Sequence, residues 1–301
     1  MAVTENAGSA KYPSFPLPAG LVRASGRVGL ATRQYFLGMP GTGYAAFGAL
    51  ALLFVVTIFA RQIAPFDPLL AVGKPMTAPN ATNLLGTDTV GRDVLSRVLC
   101  GMQMSWFGAL AVVASAVLVG GLIGLIAGAR GGWLDAVLMR MTDAFLALPG
   151  PILALAIVAA LGRSYTHTLI GVALVWWPLY ARIVRAEVRR LRVSPHMEAA
   201  RIGGVSGWRQ LRRHLLPGAV PVTIVTASLD IAALVLMLAT LSFLGLGAPQ
   251  PAPELGAMSA QGVTYIFSAW WIPVMPAAAV AFLAIIANFA GDALRDRIRD
   301  R

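Results

Sequence analysis

The sequence predicts an all-α polytopic membrane protein in which six transmembrane helices form one bundle. Three observations lead to this fold class. Hydrophobic residues make up 57% of the 301-residue chain and charged residues only 12%, whereas soluble domains carry about 25% charged residues. Several apolar runs reach the roughly 20 residues that a helix needs to cross a bilayer. Basic residues also gather on one side of these runs, as they do in the short cytoplasmic loops of membrane proteins.

Residues 1–41 are predicted to form a cytosolic N-terminal tail, and residues 42–301 the transmembrane domain. Prolines and scattered basic residues interrupt the tail, which is too polar to bury a core. A short amphipathic helix around Val22–Leu37 is the one element expected there. The first apolar run begins only after some forty residues, so it does not fit a signal peptide and is expected to be retained.

The apolar runs define the six predicted spans. They are Thr42–Ala60, Met104–Ala129, Ala136–Leu161, Thr168–Val184, Ala219–Leu246 and Ser268–Asp292. Proline lacks the backbone N–H of a helix, so interruptions are expected at Pro149 and Pro151 in span three and at Pro178 in span four. Span two carries a series of small residues, Gly120, Gly121, Gly124 and Gly128. Such a series gives a face on which another helix can pack closely.

The distribution of basic residues predicts the orientation. With the N-terminus inside, 19 of the 24 Lys and Arg residues fall on the inner side and 5 on the outer side. An excess of this kind marks the cytoplasmic side, so both termini are expected in the cytoplasm. The same loops account for the net charge of +11. We therefore expect contact with membrane lipid and no nucleic-acid partner.

Motifs for catalysis and cofactor binding are absent from the sequence. The glycine-rich phosphate loop of ATPases ends in Gly-Lys-Ser or Gly-Lys-Thr, and Gly73-Lys74-Pro75 does not fit it. His167, His196 and His214 are too scattered for a local metal site, and the single Cys100 allows no intrachain disulfide. We therefore expect neither an enzyme nor a cofactor bound by this chain.

Two aspartates fall inside predicted spans, where charged groups are costly and mark functional sites. Asp143 lies near the cytoplasmic end of span three close to Arg140, which favours a solvated or paired structural role. Asp230 lies about halfway along span five. Two interpretations of Asp230 stay open at this point. It lines a translocation pathway and meets the positive end of a substrate, or it is a hydrogen-bonded packing carboxylate.

The longest predicted cytoplasmic segment between spans is Val184–Pro217, which contains a short helix signal. Ser194 is a good N-cap, and Pro195 fits the first helical position. Gly203-Gly204 ends the helix, since glycine accepts the left-handed conformation of a C-terminal cap. The residues alone fit two functions equally: a helix that docks a partner protein, and a basic amphipathic helix on anionic lipid.

The segment Glu198-Ala199-Ala200, followed by Gly204 and Leu215-Leu216-Pro217, resembles the EAA loop of ABC importer permeases. Further stretches resemble the second permease of dipeptide, oligopeptide and nickel importers. These stretches are Leu85–Arg97 (LGTDTVGRDVLSR), Leu241–Gly247 (LSFLGLG), Pro253-Glu254, Gly256–Met258, Asn288 and Gly291–Asp296. The resemblance extends from about Gly41 to the C-terminus.

The resemblance implies the fold of a type I ABC importer permease with a cytoplasmic coupling helix, in a bacterial inner membrane. It implies three kinds of partner: a homologous permease, two ATPase subunits that hold the ATP and Mg²⁺, and an external substrate-binding protein. The coupling residues would be Glu198, Ala199, Ala200, Arg201 and Gly204. Di- or oligopeptides are the expected substrates. Nickel chelates, glutathione and haem-like molecules are alternatives within the family.

Two other classes of function compete with the permease. An ion-coupled secondary transporter would move substrate by itself, and a membrane-bound enzyme or assembly factor would show a polar cluster at one membrane interface. The chain also departs from the family at Leu238, where an acidic residue is common, and at Leu255, where Trp is common. The segment Val193–Met197 is less acidic and aromatic than usual. These departures concern the substrate rather than the architecture.

The two longest outer loops, Ile63–Gln103 and Ala248–Phe267, are the expected contacts for a substrate-binding protein. The first of them contains the charged residues Asp88, Arg92 and Asp93. These side chains either take part in that contact or pair with one another to hold the loop in shape. The second role is favoured.

Overall fold

The computed structural model describes residues 41–299, which are mainly helical. No β-strand occurs among these residues, and two isolated bridges, Ala71 with Arg92 and Thr87 with Asp93, join loop segments. The expected amphipathic helix at Val22–Leu37, like the rest of residues 1–40, lies outside the described range. The boundary between tail and transmembrane domain therefore stays a prediction.

The helices follow one another with short connections, except for the long loop at residues 64–93. They are α1 (Gly41–Ile58), α2 (Ala60–Ile63), α3 (Val94–Arg130), α4 (Gly132–Leu146), α5 (Gly150–Leu161), α6 (Tyr165–Arg192), α7 (Pro195–Ile202), α8 (Gly207–Gln210), α9 (Leu216–Phe243), α10 (Leu255–Gly262) and α11 (Trp271–Arg299). A π-helical turn, Leu211–Leu215, joins α8 to α9. A 3₁₀ turn, Val263–Tyr265, follows α10.

Four helical segments of the described chain are long and apolar enough to cross a membrane. They are α3, α6, α11 and the run Gly207–Phe243 that includes α9. The pair α4 and α5 provides a fifth crossing if its two helices count as one span. The apolar part of α1, Gly43–Ile58, is shorter. The structure therefore supports four or five of the six predicted spans.

Two long helices extend beyond the predicted span limits. The α3 helix begins at Val94 rather than Met104, because the side chain of Asp93 caps it: its Oδ2 accepts a hydrogen bond from Ser96 N at 2.8 Å. The α6 helix continues past Val184 to Arg192. Val184 and Val188 are both buried, so packing supports this polar extension after the apolar run ends.

The prediction of proline breaks was right in one span and wrong in another. Helices α4 and α5 meet at an angle of 85°, with Pro149 as the N-cap of α5 and Pro151 in its first turn. Pro178 instead lies inside the continuous helix α6. It is buried beside Trp177 and near Tyr180, so packing on both sides of the proline holds the helix together.

The glycines of α3 allow it to pack closely against α6. A β-carbon on Gly124 would overlap the carbonyl oxygen of Ala181, and one on Gly120 would overlap that of Trp177. A β-carbon on Gly128 would lie 2.9 Å from Cβ of Val188. Gly121 has no neighbour within 4 Å of such an atom. The predicted packing face is thus confirmed for three of the four glycines.

Buried side chains form two clusters. The larger one fills the bundle around the fully buried residues Trp106, Tyr180, Leu234 and Leu283. The smaller one lies at the end of the bundle where α3 and α6 terminate, and it includes the buried side chain of Met197 from α7. The short helix α7 is therefore part of the folded core at that end.

Candidate functional site

The helix α7 begins where the sequence predicts. Ser194 has the extended N-cap backbone, with φ −76° and ψ 149°, and Pro195 is the first helical residue. The carbonyl oxygen of Ser194 accepts hydrogen bonds from the N–H groups of Met197 and Glu198. The expected side-chain cap was wrong, because the Ser194 hydroxyl donates to the carbonyl oxygen of Leu191 at 2.6 Å.

The end of α7 shows which glycine of the pair is required. The N–H of Val205 donates to the carbonyl oxygen of Ala200, and the N–H of Gly204 donates to that of Arg201, both at 3.0 Å. These two bonds form a Schellman cap, which needs a left-handed residue after the helix. Gly204 supplies it with φ +70°, whereas Gly203 has φ −72°.

The one buried side chain of α7, that of Met197, anchors this helix to the bundle. Met197 is fully buried in a cluster that includes Leu125 of α3, Val188 of α6 and Leu215 before α9. Methionine is flexible enough to fill such an irregular space. Because Met197 contacts the ends of several long helices, α7 is attached to the helices that cross the membrane.

The rest of α7 faces outward. Of the predicted coupling residues, Glu198, Ala199, Arg201 and Gly204 are exposed, and Ala200 is half-buried. The carboxylate of Glu198 makes no hydrogen bond or ion pair with residues 41–299. The structure thus brings these residues to one short exposed helix and its cap.

Large apolar side chains around α7 are also exposed. Val193 is 83% exposed, Ile202 84% and Trp208 71%. Isolated apolar residues on a surface are normal, but a group of them around one short helix is typical of a protein interface. This group, together with the exposed face of α7, provides a surface suited to a protein partner.

Hydrogen bonds connect α7 to α6 and α6 to α3. Nη2 of Arg201 donates to the carbonyl oxygen of Arg192 at 3.2 Å. Nη1 of Arg192 in turn donates to the carbonyl oxygen of Gly128, at 3.0 Å. These bonds reinforce the attachment through Met197, so a displacement of α7 acts on the ends of both long helices.

A bidentate ion pair joins α4 to α6. Nε and Nη2 of Arg185 donate to the two carboxylate oxygens of Asp135 at 2.5 and 2.7 Å. The Asp135 side chain is only 8% exposed, and bidentate pairs of this kind are strong and directional. The bent pair α4 and α5 is thereby fixed to the helix that precedes α7.

The two aspartates in predicted spans have different environments. Oδ2 of Asp230 accepts hydrogen bonds from the Tyr180 hydroxyl at 2.8 Å and from Nε1 of Trp176 at 3.2 Å. Asp230 is half-buried, and its Oδ1 accepts no hydrogen bond from the described residues. Asp143 is half-exposed and pairs with Arg182 at 2.5 Å. Its structural pairing is confirmed, although the partner is not the Arg140 suggested by proximity in sequence.

The opposite end of the bundle carries a compact set of loops, residues 64–93 and 244–270, which we call the loop layer. The internal pairing favoured from the sequence is confirmed for Asp88 and Arg92 but not for Asp93. Asp88 lies 2.7 Å from Nε of Arg92 and 3.5 Å from Nε of Arg97. Asp93 makes no ion pair with the described residues. It caps α3 and accepts a hydrogen bond from Asn83.

Contacts between distant segments hold the loop layer together. Nη1 of Arg97 donates to the carbonyl oxygens of Pro68 and Pro251, and Nε1 of Trp271 donates to that of Thr87. Glu254 caps α10 by accepting from the N–H of Ala257 at 3.0 Å. Burial raises the pKa of the Glu254 carboxyl above its ordinary value, because the charged form loses its hydration.

Sequence analysis did not predict several of the contacts at these sites. Tyr180 and Asp230 are 50 positions apart, so no spacing rule connects them. His196 and His214 also meet, with ring centres 6.2 Å apart, yet no group of three metal-ligating side chains occurs in the described chain. Met197 did have a signal, since it is the one large apolar residue in the first turn of α7.

Comparison with known proteins shows similarity over most of the chain. Residues 120–301 match the family described as binding-protein-dependent transport system inner membrane component. The probable D,D-dipeptide transport system permease protein DdpC of Escherichia coli is 40% identical over 248 residues, which cover 82% of this chain and 83% of the relative. The di/tripeptide transport system permease protein DppC of Pseudomonas aeruginosa is 36% identical over 260 residues, covering 83% and 86%.

A third relative is similar over most of the chain, and one solved structure has a similar fold. The glutathione transport system permease protein GsiD of Pectobacterium atrosepticum is 34% identical over 249 residues, covering 82% of this chain and 83% of the relative. The fold is similar to a chain of the inward-facing methionine ABC transporter MetNI, with a TM-score of 0.54 and 21% identity over 66% of this chain and 95% of that one. The chain therefore belongs to the binding-protein-dependent transport system inner membrane components, and it is an ABC importer permease of this multi-pass membrane family.

Proposed function

We propose that this permease forms half of the pathway of an ATP-driven importer of di- or oligopeptides, and that a partner ATPase drives it through α7. The observation that carries the proposal is the position of α7. Its Glu198 face is exposed while Met197 is buried among the long helices. A helix held in this way moves as a unit with the membrane-spanning segments, which suits a lever for alternating access.

The names of the relatives support a peptide substrate. Those reported above are described as permeases of D,D-dipeptide, di/tripeptide and glutathione transport systems. Glutathione is itself a tripeptide, so the three substrates share peptide chemistry. This pattern favours peptides over the nickel-chelate and haem alternatives.

The proposed assembly contains a homologous permease, two ATPase subunits and an external substrate-binding protein. ATP and Mg²⁺ are held by the ATPases in this proposal, since the sequence of this chain has no phosphate loop. The ATPase docks on the surface formed by Glu198, Ala199, Ala200, Arg201 and Gly204. The binding protein docks on the loop layer at the far end of α3.

Asp230 is proposed to line the pathway. Its Oδ2 is held by Tyr180 and Trp176, which leaves Oδ1 for a ligand. A carboxylate fixed in this way suits the amino terminus of a peptide, because an ammonium group is a strong partner for a partly buried carboxylate. The half-burial of Asp230 supports such access.

Replacing Glu198 with Trp tests the docking surface. We expect the complex to assemble and hydrolyse ATP while ATP-dependent peptide uptake falls on the order of tenfold, since coupling between sites is worth about 1–3 kcal/mol. Uptake and hydrolysis are measured in proteoliposomes that contain the permeases and ATPases. Arg140→Trp, an exposed position on α4, is the matched control and should transport normally.

A second pair of variants tests the cap of α7. Gly204→Ala strains a residue with φ +70°, whereas Gly203→Ala adds a methyl group at an ordinary contact distance from Ala199. Only the first should reduce uptake. Normal transport by both Glu198→Trp and Gly204→Ala would contradict the proposal. Ion-driven uptake by the permease without ATPases would instead support a secondary transporter.

A further inference from the structure

A cavity of about 720 Å³ lies beside α7, where α3 and α6 end. Three guanidinium groups line it, those of Arg130, Arg192 and Arg201. Arg130 is the last residue of α3, and Arg192 is the last residue of α6. The cavity therefore combines three positive charges from three helices at one end of the bundle.

The positive charge of this cavity is not balanced within the described chain. Arg192 and Arg201 donate hydrogen bonds only to backbone carbonyl oxygens, and Arg130 has no partner among residues 41–299. Four nearby arginines of α6 differ, because each pairs with an acidic side chain: Arg182, Arg185, Arg189 and Arg190. The three cavity arginines thus keep donors and full charge for an anionic ligand.

The remaining wall of the cavity is mainly apolar. Ile126, one turn before the end of α3, is 41% exposed, and Leu211 and Leu215 lie on the π-helical turn that leads into α9. Trp208 also lines the cavity and is 71% exposed. Exposed Trp is typical of the membrane interface, where one side of the ring contacts lipid and the other water.

We propose that this cavity binds the headgroup phosphate of an anionic phospholipid, with an acyl chain along Ile126 and Leu211. A basic pocket between helix ends at the membrane surface is suited to such headgroups. The apolar wall favours a phospholipid over free phosphate, which would leave that wall in water. This inference shares Arg201 with the proposed docking surface but does not rest on the proposed transport function, because it requires only that α3, α6 and α9 cross the bilayer.

The bound lipid would connect α3, α6 and α7 through one headgroup. Arg201 belongs to α7 and its two companions belong to the long helices, so a single phosphate contacts all three elements. The lipid would then act as a further attachment of α7 to the bundle, beside Met197 and the hydrogen bond from Arg201 to Arg192. We therefore expect the bound lipid to stabilise the folded chain and raise its Tm.

Thermal unfolding of the full-length protein in neutral detergent tests the proposal. Phosphatidylglycerol, phosphatidylcholine and inorganic phosphate are titrated separately, and the apparent affinity is obtained from the shift in Tm. We expect phosphatidylglycerol to raise Tm more than phosphatidylcholine does, with no effect of inorganic phosphate at the same concentration. In the double variant Arg130→Gln/Arg192→Gln, the apparent affinity for phosphatidylglycerol should fall roughly 30-fold.

Two controls keep the result interpretable. Arg140→Gln removes an exposed arginine of α4 that does not line the cavity, and it should bind phosphatidylglycerol like the unmodified protein. The single variant Arg130→Gln removes a side chain without partners in the described chain, so it should fold normally and show roughly a fivefold loss. Equal binding by all variants, equal stabilisation by phosphatidylcholine, or stabilisation by inorganic phosphate alone would overturn the proposal.

Discussion

The geometry of Asp230 is compatible with both interpretations that the sequence left open. Tyr180 and Trp176 donate hydrogen bonds to the same carboxylate oxygen, which is the arrangement expected of a packing carboxylate. The other oxygen and the half-burial of the side chain leave room for a substrate. The two interpretations therefore differ in what removal of the charge does to transport, and not in the geometry of the resting protein.

Replacing Asp230 with Asn should separate these roles. Asn keeps the shape and an acceptor for Tyr180 but removes the charge, so uptake of a peptide with a free amino terminus should fall roughly ten- to a hundredfold. Uptake of the same peptide with an acetylated amino terminus should not change relative to the unmodified protein. Asp143→Asn, at the half-exposed pair with Arg182, is the control. Identical losses for both peptides would show that Asp230 acts only in packing.

Helix α3 approaches the backbone of α6 closely at two of its glycines. At Gly120 and Gly124, added β-carbons would overlap the backbone of α6. Small residues allow such close approach, and the dispersion contacts that result contribute to helix association in lipid. The neighbouring glycine, Gly121, faces open space.

A matched pair of alanine variants tests this packing. Gly124→Ala forces α3 and α6 apart and should destabilise the protein by about 1–3 kcal/mol, which lowers Tm in detergent. Gly121→Ala should leave Tm unchanged or raise it slightly, because alanine is a better helix former by about 1 kcal/mol. Equal Tm values for the two variants would show that the close contact does not determine stability.

Prediction from sequence succeeded where local chemistry decides the structure. Pro195 begins α7 and Gly204 ends it. Each position depends on the backbone conformation of that residue, which can be predicted from its type. The start of α3 was placed too late, since the capping Asp93 lies ahead of the apolar run. The angle between α4 and α5 and the partners of Asp230 depend on tertiary packing, which no short window of sequence encodes.

Leu238 and Leu255, the departures from the family, are both buried and contribute to packing.

At the scale of the whole molecule, the distribution of basic residues predicts how the protein is oriented in the membrane. The expected arrangement places α7 in the cytoplasm and the loop layer outside, because the sequence predicts 19 of the 24 basic residues on the side of α7. Two exposed residues report on the two sides, Ile202 at the end of α7 and Leu84 in the loop layer.

Single cysteines at these positions test the orientation. In a Cys100→Ser background, Leu84→Cys should react with a membrane-impermeant maleimide in intact spheroplasts, whereas Ile202→Cys should react only after permeabilisation. Cys100 itself is buried, so its replacement should leave the surface unchanged. Labelling of Ile202→Cys in intact spheroplasts would reverse the assigned orientation and contradict the proposed position of the ATPase.

The length of α3 has a thermodynamic consequence. Its 37 residues span about 55 Å as a regular helix, more than the roughly 30 Å hydrocarbon core of a bilayer. One helix thus carries the Asp93 cap in the loop layer at one end and Gly128 near the other, where the carbonyl oxygen of Gly128 accepts a hydrogen bond from Arg192. Linkage is reciprocal. If a ligand of the loop layer changes the affinity of a partner for α7 by some factor, that partner must therefore change the affinity of the ligand by the same factor.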